Sequence, residues 1–261
     1  MKSEKRNGVF GTVKEAVAHV RESIAKGRLE ESSLSDGAVA SKTILNLIGM
    51  SGQKTRHTLN NLMSYTDINY VEVGSHIGST FCSAIYKNPR IGGASSIDNW
   101  SQFVDPSETN VNGATRDLFR ANVKGTIDSF PAAMPVKARY FLHDADFREF
   151  NFGYKNTPID MYFFDGPHTT EDQKDGICVV KDSIADIAII MVDDWNWGGP
   201  RHGTFAALEE MGMYIHYQVE IYTPPVGFHP LEYKSTKMTS NRFTGSDWHN
   251  GISIMVISRN D

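Results

Sequence analysis

The sequence predicts a doubly wound α/β fold built on a mostly parallel sheet. Three observations carry that expectation. From residue 70 onward, short apolar runs alternate with stretches of helical periodicity. The runs close on glycine or an acid, as in YVEVG (70–74), ASSID (94–98) and IDMYFFDG (159–166). The chain has 261 residues, 40% of them hydrophobic, which is enough for one large core.

The elements follow in order. Residues 12–30 place Val13, Val17, Val20 and Ile24 at helical spacing, and two more helical stretches are expected over 38–48 and 53–65. Residues 1–66 therefore read as a helical N-terminal extension, and 67–261 as the α/β domain. YVEVG is the first strand, followed by a helix through Thr80–Tyr86. ASSID is the second strand; a polar loop over 99–112 and a helix over 114–124 come next. ARYFLHDA (138–145) and IDMYFFDG are the third and fourth strands. A helix over 170–182 leads to DIAIIMVDD (186–194), the fifth strand, and then to a helix over 203–211. Two strands near 214–222 and 251–258 complete the set, with a long polar loop between them. Alternation of this kind implies helices on both faces of the sheet.

Composition narrows the function. The formal net charge is −5 and no long basic run occurs, so a nucleic-acid partner is not expected. No apolar stretch approaches the roughly 20 residues of a membrane span, and MKSEKRNGVF carries no apolar secretion core. Cys82 and Cys178 sit among apolar residues and read as buried free thiols. A cytoplasmic location is expected.

In sheets of this type, ligands bind beyond the carboxyl ends of the strands. Glu72, Asp98, Asp144, Asp165, Asp193 and Asp194 all fall at such ends. So many acids together call for a cationic ligand, a metal ion, or both. The first strand turns through Gly74-Ser75-His76-Ile77-Gly78, whose glycines allow a sharp turn and close approach to a ligand. A nicotinamide-binding turn would need a third glycine that is not there.

This acid plus glycine-rich turn, EVGSHIG, resembles the first motif of the class I S-adenosylmethionine-dependent methyltransferases. The resemblance implies a seven-stranded Rossmann-like sheet and S-adenosylmethionine as cofactor. With Glu72 opening the motif, Gly74, Ser75 and Gly78 would line the methionine part. Asp98 would take the ribose hydroxyls, and Trp100 would flank the adenine. In FLHDADF, Asp144 would accept from the adenine amino group and the Ala145 amide would meet the ring. His76 stands where glycine is commoner in the family.

The fourth strand ends Asp165-Gly166-Pro167-His168 and the fifth ends Asp193-Asp194-Trp195. A standard crossover makes these ends neighbours. Alone, each acid also fits a turn or a helix cap. Together, the three carboxylates suit a hard divalent cation, above all Mg²⁺. The pattern is similar to the metal-dependent O-methyltransferases that act on sugars of natural products. That resemblance implies Asp165, Asp193 and Asp194 as metal ligands and His168 as proton acceptor, with Asp165 beside it at the chemical centre. Trp195 and Trp197 are candidates for a substrate wall. His57, His202 and His249 show no ligand spacing and stay unassigned.

The function expected is Mg²⁺-assisted O-methylation of a hydroxylated small molecule, a sugar or natural product. A metal-independent N- or O-methyltransferase and a non-catalytic cofactor-binding protein are the alternatives. The family often forms homodimers.

Overall fold

A computed structural model of the protein describes residues 6–47, 49–101, 111–131, 139–153, 157–223 and 248–259, with backbone only at 111–114. Most of the polar stretch over 99–112 and of the loop over 223–250 lies outside these residues.

Seven strands form one sheet in the order β3-β2-β1-β4-β5-β7-β6. They are β1 (Asn69–Val73), β2 (Gly93–Asp98), β3 (Tyr140–Asp144), β4 (Ile159–Phe164), β5 (Ile184–Val192), β6 (Tyr214–Ile221) and β7 (Ile252–Ser258). Strands β3, β2, β1, β4 and β5 pair in parallel. β7 inserts antiparallel between β5 and β6. The order reverses between β1 and β2 on one side and β4 and β5 on the other. That reversal opens a crevice at the strand ends, where a doubly wound sheet binds its ligand.

The helices are α1 (Val13–Arg28), α2 (Val39–Leu45), α3 (Gln53–Leu62), α4 (Ser79–Ile85), α5 (Val111–Asp128), α6 (Thr170–Cys178) and α7 (Gly198–Met211). α1 begins where the Thr12 side chain accepts from the Glu15 amide at 3.2 Å, a cap worth about 1 kcal/mol. α7 begins five residues earlier than the sequence suggests. Gly198-Gly199-Pro200 reads as a breaker, but a proline in a first helical turn surrenders no hydrogen bond. Among the described residues no helix is long and apolar enough to cross a membrane.

The strands alternate between two apolar layers. Ile189 and Met191 of β5 face one; Ala188, Ile190 and Val192 face the other. The first layer also holds Ala16, Val20 and Ile24 of α1 and Leu59 and Leu62 of α3, so the N-terminal helices share their core with the sheet. Asp160, buried in β4, ties the leading segment down by accepting from the amides of Val9 at 2.8 Å and Asn69 at 2.9 Å. Both cysteines are free thiols; Cys82 is buried, whereas Cys178 is only half-buried.

Candidate active site

The turn after β1 is set by two glycines in the left-handed region, Gly74 (φ 87°) and Gly78 (φ 91°). A Cβ on Gly74 would stand 1.8 Å from the Asp165 carbonyl oxygen, so only glycine lets β1 and the end of β4 come this close. Glu72 lies beneath the turn, fully buried. It accepts from the Tyr70 hydroxyl at 2.5 Å and the Thr80 hydroxyl at 2.7 Å. Burial pushes its carboxyl up to about 7 despite those bonds, and the charge of Asp98 adds to the rise. Glu72 therefore braces the turn from below. Ser75 is also turned inward, accepting from the Ser96 hydroxyl at 2.8 Å.

Asp98 ends β2 with both oxygens engaged. One accepts from the His76 amide at 2.8 Å, the other from the Trp100 amide at 2.6 Å. Each carboxylate oxygen retains a second lone pair for a ligand hydroxyl. Trp100 donates its indole N–H to the His76 carbonyl at 2.7 Å and packs on Phe119 with ring centroids 5.5 Å apart. The Trp100 ring thus clasps the turn, and at 5% exposure it offers little face to a ligand.

Two of the expected adenine contacts are otherwise committed. The Ala145 amide extends the β2–β3 ladder by donating to the Asp98 carbonyl at 3.1 Å, and an amide has one hydrogen to give. Asp144 is paired with Arg116 at 2.7 Å. With 43% of the Asp144 side chain exposed, its carboxylate keeps lone pairs that face solvent.

The second half of the site joins β4, β5 and the entry to β7. Asp194 is buried, with φ 53°. Its Oδ2 lies 3.1 Å from His168 Nδ1. Its Oδ1 accepts from the Asn250 side-chain amide at 2.8 Å and lies 4.0 Å from His249 Nε2. Asp193 is 5% exposed, and its Oδ1 has no hydrogen-bond partner. Donor atoms of Asp193, Asp194 and His249 all lie within 4.8 Å of one another. The compact group holds His249 beside two of the three carboxylates read from the sequence, and Asp165 is not among its members. The cause is β7, whose antiparallel course brings the residues just before Ile252 to the end of β5.

Asp165 is nonetheless a neighbour. Burial raises its carboxyl well above the usual range, and the charges of Asp194, Glu72 and Asp98 raise it further. Asp193 is shifted the same way, by burial and then by Asp165 and Asp194. An unpartnered buried carboxylate oxygen inside such a set costs stability unless a cation meets it. The donor set thus fits a divalent metal ion.

His168 is held between Asp194 and the edge of Trp197, with ring centroids 4.7 Å apart. Its side chain keeps 33% exposure and so stands at the crevice rather than in the core. Trp195 does not form a wall: it is fully buried, donating to Glu220 at 2.7 Å and packing edge-on against Phe205. Trp195 is buried while Trp197, two residues on, lies against His168, a division that sequence alone cannot assign. His249 was out of reach of sequence reading because a spacing of 55 residues from Asp194 carries no motif.

Residues 71–195 match the family model described as a methyltransferase domain. No curated protein matches the sequence. Among solved structures, a protein from Pyrococcus horikoshii assigned as an RNA methyltransferase aligns with a TM-score of 0.49 at 11% identity, over 92% of this chain and 97% of that one. A S-adenosylmethionine-dependent O-methyltransferase from Thermotoga maritima gives 0.49 at 10% identity, over 80% and 66% of the two chains. An O-methyltransferase from Bacillus cereus, in complex with S-adenosylhomocysteine, gives 0.48 at 11% identity, over 91% and 90%. Likenesses at this level add nothing to the strand order described above.

Proposed function

We propose that this chain, whose residues 71–195 match the family model of a methyltransferase domain, is an S-adenosylmethionine-dependent methyltransferase that methylates a hydroxyl oxygen of a small molecule. One observation carries the oxygen chemistry: His168 Nδ1 stands 3.1 Å from a buried carboxylate, at the mouth of the crevice.

An ionised carboxylate only accepts, so Asp194 holds the proton of His168 on Nδ1 and leaves Nε2 as the acceptor. A neutral imidazole so oriented can take a hydroxyl proton at Nε2, and Asp194 then stabilises the imidazolium. The edge of Trp197 restrains the ring from the other side. When bound, S-adenosylmethionine supplies an electrophilic methyl group on a cationic sulfonium. Gly74, Ser75, Gly78 and Asp98 would hold it, with Asp98 directed at hydroxyls by the bonds that fix its carboxylate. A divalent ion at Asp193 and Asp194 would lower the pKa of the acceptor hydroxyl. The acceptor class, a hydroxylated small molecule rather than nucleic acid, is supported by the net charge of −5.

The test is calorimetric titration with S-adenosylhomocysteine, followed by methyl transfer to a panel of hydroxylated sugars and phenols in wild type and His168→Ala. Binding together with His168-dependent O-methylation is the expected result. Binding with methylation only of amines would overturn the oxygen assignment; absence of binding would overturn the cofactor.

A further inference from the structure

We infer that His249 supplies a nitrogen ligand to the cation held by Asp193 and Asp194, and that this site takes a first-row transition cation such as Mn²⁺ in preference to Mg²⁺. The inference rests on the metal-assisted reading above and refines which residues and which ion that reading involves.

Three independent features converge on it. The first is distance. Two donors each about 2.1 Å from one ion stand about 3.0 Å apart when adjacent and about 4.2 Å apart when opposed. His249 Nε2 and Asp194 Oδ1 are 4.0 Å apart, too far to hydrogen-bond and within the span of a shared ion. The whole Asp193, Asp194 and His249 group closes within 4.8 Å. The second is the Asp193 Oδ1 atom, buried and without a hydrogen-bond partner beside this group. Native interiors rarely leave such an atom unmet, and an ion accounts for it.

The third is the backbone. Asp194 and His249 both have φ 53°, a region that few non-glycine residues occupy. Conformations of this kind persist where the surroundings fix them, and they cluster at functional sites. Here the surroundings do fix them. The Trp195 amide donates to the Gly251 carbonyl at 3.1 Å and the Asn196 amide to the Asn250 carbonyl at 3.0 Å. The Thr223 hydroxyl donates to the His249 carbonyl at 2.9 Å. The segment bearing His249 is thus stitched to the segment bearing Asp194.

The choice of ion follows from donor chemistry. Carboxylates suit Mg²⁺ and Mn²⁺ alike, whereas an imidazole suits first-row transition ions and not Mg²⁺, so its presence tips the set away from Mg²⁺.

The experiment is calorimetric titration of the full chain, saturated with S-adenosylhomocysteine, with Mg²⁺ and separately with Mn²⁺. It is run on wild type, His249→Ala, His249→Gln and Asp165→Asn, with melting temperature and S-adenosylhomocysteine affinity as folding controls. We expect wild type to bind Mn²⁺ more tightly than Mg²⁺. Both His249 variants lose that preference, and Asp165→Asn keeps it. Should one His249 variant fail to fold, nitrogen coupling in the pulsed electron paramagnetic resonance spectrum of Mn²⁺ bound to wild type gives the same answer. Mn²⁺ affinity that survives loss of His249 but falls in Asp165→Asn overturns the inference in favour of three carboxylates. Binding of neither ion to wild type overturns it as well; His168-dependent methylation in the presence of chelator would then leave the methyltransferase reading intact.

Discussion

Glu72→Gln removes a buried negative charge and leaves the shape of the side chain almost unchanged. In the folded protein this carboxyl titrates at about 7, against 4.5 for an unburied glutamate. Between those two values the native state binds more protons than the unfolded state, so stability falls as pH rises through that window and is level above it. The gap is worth about 3 kcal/mol at 1.36 kcal/mol per pH unit. The glutamine variant has no such fall. It gives up part of the bonding to the Tyr70 and Thr80 hydroxyls, at a cost of about 1 kcal/mol. We therefore expect the variant to be about 1 kcal/mol less stable than wild type near pH 4 and about 2 kcal/mol more stable at pH 8. Urea unfolding at a series of pH values, in chelator and without cofactor, measures both limbs. A difference between the two proteins that stays constant from pH 4 to pH 8 would refute the account of a carboxyl held neutral by burial.

Other perturbations probe the turn, the base and the stitching. His168→Ala should lower kcat by about 10² to 10⁴ with little change in KM, measured in single turnover; an unchanged chemical rate removes His168 from proton transfer. Gly74→Ala places a methyl group 1.8 Å from the Asp165 carbonyl at φ 87°. The dihedral alone costs about 1 to 2 kcal/mol, and the overlap must move the end of β4. Loss of S-adenosylhomocysteine binding and a lowered Tm are expected, and a Tm equal to wild type contradicts the packing described. Asn196→Ala severs the side-chain bonds to Thr223 at 2.8 and 3.0 Å. It should cost about 2 to 3 kcal/mol and weaken Mn²⁺ binding more than cofactor binding. Equal weakening of both would indicate a general loss of structure.

The parts of the fold written in local pattern were legible in the sequence. Alternating apolar runs located all seven strands, and the terminal acids marked the carboxyl edge of the sheet, because in a doubly wound sheet one edge collects every parallel strand end. What sequence did not supply depended on side-chain direction or on distance along the chain. Trp195 and Trp197 are two residues apart, yet one fills the core and the other flanks His168. Trp100 and the Ala145 amide are spent within the protein, on the turn and on the β2–β3 ladder, which no spacing rule reports. His249 reaches Asp194 only because β7 runs opposite to its neighbours, and pairing direction is not encoded in a hydrophobic run.

The bond between the Thr223 hydroxyl and the His249 carbonyl has a consequence for how the chain length can vary in this protein. Thr223 and His249 touch although they are far apart in the sequence, and Asn196 is bonded to Thr223 and to Asn250 alike. Because these two points are fixed to each other, a change in the length of chain between them need not stretch the sheet. The second of these points delivers a proposed ligand to the ion. Exchange of the chain between Thr223 and His249 should therefore leave the strands in register, provided that both residues are retained.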